Sequence, residues 1–324
     1  MSSNALKAVA IALLSALFFT LTYVLNRAVV SGGGHWQWAV ILRYLLTLPL
    51  LAVVLPFQGG LGRLPHELRT HPRTWLAWSG VGFVLFGVPL TWAASSGPSW
   101  LVAGSFQTTV LAGPLLAPFI YSDERARWQG GVLAIGGLIV TGVMLLQFGH
   151  AHGALDASAW LAVGAVVFAA FAYPLGNRMI LLHLERSGTR LGAVQRVFGM
   201  TLSSWPFWWV LAVVAWLAVG PPSWRDVLLA GGVALSSGVV ATVLFFHATE
   251  RVGRQPTALA AVEAMQAAEL LFATAMGAAF LGEPAPGPLA ACGAVAIVAG
   301  IVGFAWASAR EAVPDPAVST DRGA

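Results

Sequence analysis

The chain has 324 residues, of which 58% are hydrophobic and 9% charged, with a formal net charge of +4. Ordinary soluble domains carry about 45–50% apolar and about 25% charged residues, so this composition excludes a water-soluble globule and fits a chain dissolved in a bilayer. A sequence pI near 9.8 could suggest nucleic acid, but the basic residues sit in short loops between apolar stretches, where they report topology instead.

A helix needs about 20 apolar residues to cross a hydrocarbon core of about 30 Å. Ten such stretches run in order over 5–25, 36–57, 74–95, 98–120, 128–148, 158–183, 192–219, 226–248, 256–281 and 286–308. Most exceed a strand in length and lack strict alternation, which favours helices over a barrel. The expected fold is an all-α polytopic membrane protein with ten transmembrane helices. Lys7, just before the apolar run of the first stretch, imitates a signal peptide. No small-residue cleavage site closes it and further spans follow, so it reads as the first transmembrane helix. The linker 149–156 holds His150 and His152 without a further ligand nearby, which reads as a solvated loop and not as a metal site. From about Ala312 onward, Pro314, Pro316 and small polar residues read as a disordered cytoplasmic tail. The single cysteine, Cys292, allows neither an intrachain disulfide nor a cysteine-based metal site.

An internal repeat is written in polar residues. Tyr23, Asn26 and Arg27 close stretch one as Tyr173, Asn177 and Arg178 close stretch six. Arg43 answers to Arg196, Gln107 to Gln266 and Glu124 to Glu283, and each glutamine lies 17 residues before its glutamate. The chain therefore divides into a first five-helix repeat at 1–150, a second at 151–311 and the tail at 312–324. Lys7, Arg63, Arg69, Arg73, Arg125, Arg127, Arg178, Arg186, Arg190, Arg251, Arg254, Arg310 and Arg322 fall on one side, against Arg27 and Arg225 on the other. Basic loops stay inside, so both termini are expected in the cytoplasm of a cell inner membrane. Five spans per half then make the repeat an inverted one, with a binding site expected between the halves.

Ionisable groups at membrane depth cost at least about 2.5–3.5 kcal/mol each and mark function by default. Arg43, Arg196, Glu263 and Glu269 qualify, and their charges cancel. Glu263, Gln266 and Glu269 recur every third residue, so they share one helix face. The expectation is that one of the two arginines pins Glu263 while Glu269 titrates; permanent pairing of both glutamates is the alternative. Tyr23, Asn26, Trp36, Trp38, Tyr44, Trp100, Gln107, Tyr173 and Asn177 supply a cavity wall, although interfacial anchoring explains Trp36, Trp38 and Trp100 equally well. Trp205, Trp208 and Trp209 are expected to face lipid or the interface. Gly136, Gly137 and the Gly/Ala-rich stretches five and ten read as close helix packing.

Asn26-Arg27, the run from His35 through Trp38 to Arg43-Tyr44, the run Gly97–Gln107 and the run Ala261–Glu269 resemble the multidrug resistance efflux transporter family, EamA-like ten-helix carriers of the drug/metabolite transporter superfamily. The resemblance implies a five-plus-five inverted repeat. It also implies a central cavity lined by helices 1–4 and 6–9, with helices 5 and 10 peripheral, and export of small organic molecules. The small dimeric exporters of that superfamily use a first-helix glutamate. Stretches one and six contain no acidic residue, so the carboxylates of stretch nine would have to replace it.

The expected function is a secondary carrier exporting small amphipathic drugs or metabolites by alternating access, with protons as one coupling ion. An amino-acid or metabolite exporter of the same superfamily is the rival. No G-x-x-x-x-G-K-[ST] loop supplies an ATPase. An intramembrane enzyme would need more than Ser99, Ser105, Ser203 and His247, which form no G-x-S-x-G elbow and no H-E-x-x-H. A channel is the third class. No cofactor, metal or nucleic-acid partner is expected. The partners are a small-molecule substrate and the lipid bilayer, and the chain acts as monomer or homodimer.

Overall fold

The computed structural model describes residues 3–31, 33–96, 99–148, 157–280 and 287–311. The side chains of Tyr23, Asn26 and Trp100, together with His150, His152, Glu283 and the tail, lie outside what it describes. Every described element is a helix. The first half contributes α1 (Ser3–Ser31), α2 (Trp36–Val54), the short α3 (Leu64–Thr70), α4 (Pro72–Ser79), α5 (Phe86–Ser96), α6 (Ser99–Phe106), α7 (Thr109–Ile120) and α8 (Gly130–Phe148). The second contributes α9 (Ala157–Ser187), α10 (Ala193–Val219), α11 (Trp224–Val233), α12 (Thr242–Val252), α13 (Pro256–Ala264), α14 (Ala268–Phe280) and α15 (Pro288–Glu311).

Nine rods among the described residues are long and apolar enough to cross a bilayer. The expected fourth span is missing from that set because it is cut in two. Thr108 is the N-cap of α7, and its hydroxyl donates to the Ser105 carbonyl at 2.8 Å, so the chain turns tightly at Gln107–Thr108 instead of continuing as one helix. The ninth span is interrupted too, though by backbone alone. A 3₁₀ turn at Met265–Ala267 separates α13 from α14, and it contains Gln266. Two further rods carry widened π-helical turns, Gly80–Leu85 between α4 and α5 and Ala234–Ala241 between α11 and α12. Pro89 has no N–H to offer the Leu85 carbonyl, which accounts for the first. In the second, the Thr242 hydroxyl donates to the Ser237 carbonyl at 2.6 Å, the same carbonyl that accepts the Thr242 backbone N–H across the widened turn.

The halves interlock. α1 packs on α11, α12 and α14, and the Ser15 hydroxyl donates to the Ala241 carbonyl at 2.8 Å. Reciprocally, α9 packs on α4, α5, α6 and α7, and the Thr109 hydroxyl donates to the Ala170 carbonyl at 3.1 Å. α2 lies along α10, where the Trp38 indole donates to the Gly220 carbonyl at 2.9 Å. α8 and α15 run together most extensively, crossing where a Cβ on Gly142 would come within 2.7 Å of the Gly293 carbonyl oxygen. That is close packing by small residues, as the sequence suggests. On α10 the residues Trp209, Val210, Val213, Val214, Trp216 and Leu217 are all exposed. A continuous apolar face of that kind needs lipid. Trp208 departs from what is expected of it and its neighbours. It is fully buried, its ring stacked on Tyr44 with centroids 4.3 Å apart.

Candidate functional site

A small cavity lies where α1, α2, α5, α9, α10, α12 and the two π-helical turns meet. Its wall includes Phe19, Arg43, Tyr44, Thr47, Phe83, Phe86, Tyr173, Thr201 and Thr242. The chemistry is one guanidinium, several hydroxyls and a sleeve of aromatic rings. Phe86 and Tyr173 sit 4.9 Å apart, and Tyr44 and Phe83 5.4 Å apart. The backbone approaches closely at Gly238, where a Cβ would collide with the Thr47 hydroxyl.

Arg43 is half-buried. Its Nη2 donates to the Ser237 hydroxyl at 2.7 Å, and its guanidinium sits 5.4 Å from the centre of the Tyr44 ring. Among the described residues it meets no carboxylate at ion-pair distance, and its Nε has no hydrogen-bond partner. The Tyr173 hydroxyl, also on this cavity, is likewise buried and unpartnered there. One turn further along α9, Asn177 is buried with neither amide atom bonded to a described group. Among the described residues, Arg43, Tyr44 and Tyr173 are therefore the expected site residues that the fold brings to one cavity.

Glu263 lies elsewhere, and its partner corrects the expectation. Neither Arg43 nor Arg196 pins it. Arg178 does, donating from Nε to Oε1 at 2.9 Å and from Nη2 to Oε2 at 2.6 Å, with both side chains buried. Gly113 makes room for the pair, since a Cβ there would collide with Glu263 Oε2 and lie 2.5 Å from Arg178 Nη2. Such a fork-on-fork contact holds charge at depth because both oxygens are satisfied. A small cleft reaches Arg178 from one end of the bundle, between Tyr121, Arg125, Arg127 and Pro256.

Arg196 is fully buried. It donates to the Phe246 carbonyl, packs its guanidinium 5.1 Å from the Phe246 ring and lies 3.9 Å from Glu250. It faces neither span-nine glutamate. Gln107 and Gln266 are buried at the two helix breaks. Glu269 is buried in the first turn of α14, where its backbone carbonyl accepts from the Thr20 hydroxyl at 3.4 Å.

Sequence reasoning missed Arg178 as an interior group, although the repeated Asn-Arg pair was the signal for it. It also missed Ser237 and Thr47, whose small polar side chains carry no pattern of their own in an apolar span.

The chain matches the family described as "Putative multidrug resistance efflux transporter" over residues 6–310. It is 41% identical over 312 residues to the uncharacterized protein YjlA of Bacillus subtilis (strain 168), covering 94% of this chain and 95% of that one. An uncharacterized 42.1 kDa protein of Shouchella clausii is 37% identical over 284 residues, covering 86% of this chain and 74% of its own length. A solved crystal structure, 14% identical, superposes with a TM-score of 0.70 over 97% of this chain and all of that one, which speaks for the fold alone. With a family match spanning nearly its whole length on a bundle of apolar helices, the chain belongs to this family of multidrug efflux transporters.

Proposed function

We propose that the protein is a secondary carrier that moves small amphipathic organic molecules by alternating access, with the Arg43–Tyr173 cavity as the substrate site. The observation that carries this reading is the pairing of irregularities between the halves. The helix breaks at Gln107 and Gln266, and the π-helical turns at Gly80–Leu85 and Ala234–Ala241, fall at matching places in the two halves. The packing is reciprocal too, with α1 laid into the second half and α9 into the first. Discontinuous helices at corresponding positions of two repeats are the usual mark of a carrier's binding site. The halves 1–150 and 151–311, ten crossings with the fourth made by α6 and α7 together, and cytoplasmic termini follow from this reading.

A second reading within the carrier class has its own support. Arg43 faces the cavity with no carboxylate beside it among the described residues. Substrates bearing a carboxylate or another anionic group, such as amino acids or organic acids, would supply one, because guanidinium matches carboxylate bidentately. The test is an untargeted uptake screen in inverted vesicles, with and without a pH gradient. Saturable accumulation of a defined compound, absent in vesicles lacking the protein, supports the carrier. Ion currents with no saturable uptake refute it.

A further inference from the structure

One cluster lies apart from both the cavity and the buried ion pair. Glu67 on α3, His71 at the corner between α3 and α4, and His183 near the end of α9 converge on one point. Glu67 Oε2 is 3.2 Å from His183 Nε2 and 3.4 Å from His71 Nδ1, and the two rings meet edge to face with centroids 4.6 Å apart. The three ligand atoms all fall within 4.8 Å of one another. A tetrahedral ion that holds its ligands at about 2.0–2.1 Å spaces them about 3.3–3.4 Å apart. Two of the three edges already have that length.

We propose that Glu67, His71 and His183 form a binding site for a divalent transition-metal ion of the zinc class, with the remaining coordination position left to water. Two imidazoles and one carboxylate suit zinc, cobalt or nickel, whereas magnesium and calcium prefer oxygen throughout. The carboxylate is held for the task. Glu67 is buried, and the Thr189 hydroxyl donates to its Oε1 at 2.6 Å, leaving Oε2 to face both rings. Outer groups of this kind orient ligands and sustain affinity. His71 Nδ1 also touches the Thr70 hydroxyl at 3.0 Å. That hydroxyl donates its own proton to the His66 carbonyl at 2.9 Å, so it accepts from the ring, and the metal takes the place of the ring's N–H.

The site would clasp two parts of the chain that already touch. α4 packs on α9, and Thr189, two residues past the end of α9, already donates to Glu67. A bound ion would therefore cross-link the α3–α4 corner to α9. A hydrogen-bonded corner with no affinity for metal is the competing account.

The test is a Co²⁺ titration of the metal-free, full-length protein in detergent, followed by visible d–d absorbance and then by displacement with Zn²⁺. The expected result is one saturable equivalent, displaced by Zn²⁺. His71→Ala should weaken it at least tenfold; this residue is half-exposed, so its loss leaves the fold intact. Thr189→Val, which keeps all three ligands, should weaken it about tenfold. His66→Ala and His247→Ala should leave it unchanged. Absence of saturable binding, or binding that survives His71→Ala, overturns the proposal.

Discussion

Breaking the Arg178–Glu263 pair from one side is a severe perturbation with a worked magnitude. Both side chains are at most 4% exposed, and two charge-assisted hydrogen bonds of 2.9 and 2.6 Å satisfy the carboxylate. Arg178→Met leaves that carboxylate buried with its charge uncompensated, and Glu263→Met does the same to the guanidinium. Removing one partner of a buried pair costs about 3–5 kcal/mol, or two to three and a half decades in the folded-to-unfolded ratio at about 1.4 kcal/mol per decade. Replacing both by methionine removes both desolvation costs and keeps apolar volume, so the double variant should come within about 1–2 kcal/mol of the wild type. The assay is equilibrium unfolding in mixed micelles for the four proteins of the cycle, read by tryptophan fluorescence. The coupling should reach at least about 3 kcal/mol. Single variants that each cost under about 1 kcal/mol and add in the double would refute the claim that this ion pair holds α9 to α13.

Other outcomes follow from the same contacts. Trp208→Ala removes a fully buried ring stacked on Tyr44 and should cost about 3–5 kcal/mol in the same unfolding assay. Gly293→Val forces side-chain atoms against the Gly142 carbonyl and the Leu146 backbone, so α8 and α15 must separate. A loss of about 1–3 kcal/mol or more is expected, with failure of the purified protein to stay monodisperse as the visible sign. Glu67 gives a pH dependence. Burial pushes its carboxyl up, but the Thr189 hydroxyl, the His183 ring and the positive charge of the two imidazoles outweigh burial and hold it below its ordinary value. Its folded pKa is thus lower than the unfolded value of about 4.3. The contribution to stability is complete above that value and disappears as pH falls through the folded pKa. In metal-free buffer, thermal midpoints should fall more steeply below about pH 5 in the wild type than in Glu67→Gln; parallel curves would contradict the assignment.

The class of fold was legible because apolar run length states the solvent directly, and nearly every described rod falls where a long apolar run predicts it. The helix breaks were half legible. Gln107 and Gln266 stood out as matched polar residues, but nothing in their chemistry announces that the helix stops there; at the first break it is the neighbouring Thr108 hydroxyl that takes a backbone carbonyl. The partner of Glu263 was misread because counting basic residues by loop assigns Arg178 to water. In the fold α9 runs without interruption through Arg178 to Ser187, which carries that residue inside the bundle. Arg196 could not be placed from sequence, because it donates to a backbone carbonyl and every residue has one. Glu67 and His71 sit one helical turn apart and could have been seen, whereas His183 joins them only through the packing of α9 against α4.

The central claim is that substrate is held at Arg43 in a cavity shared by the two halves. It is tested most directly by counterflow in proteoliposomes, comparing the wild type with Arg43→Gln for a compound found in the vesicle screen. Unlabelled compound on the far side should accelerate saturable entry of label. Arg43→Gln should cut that exchange at least tenfold while leaving the unfolding midpoint within a few degrees. Exchange that rises linearly with concentration, or that Arg43→Gln leaves untouched, would contradict the account.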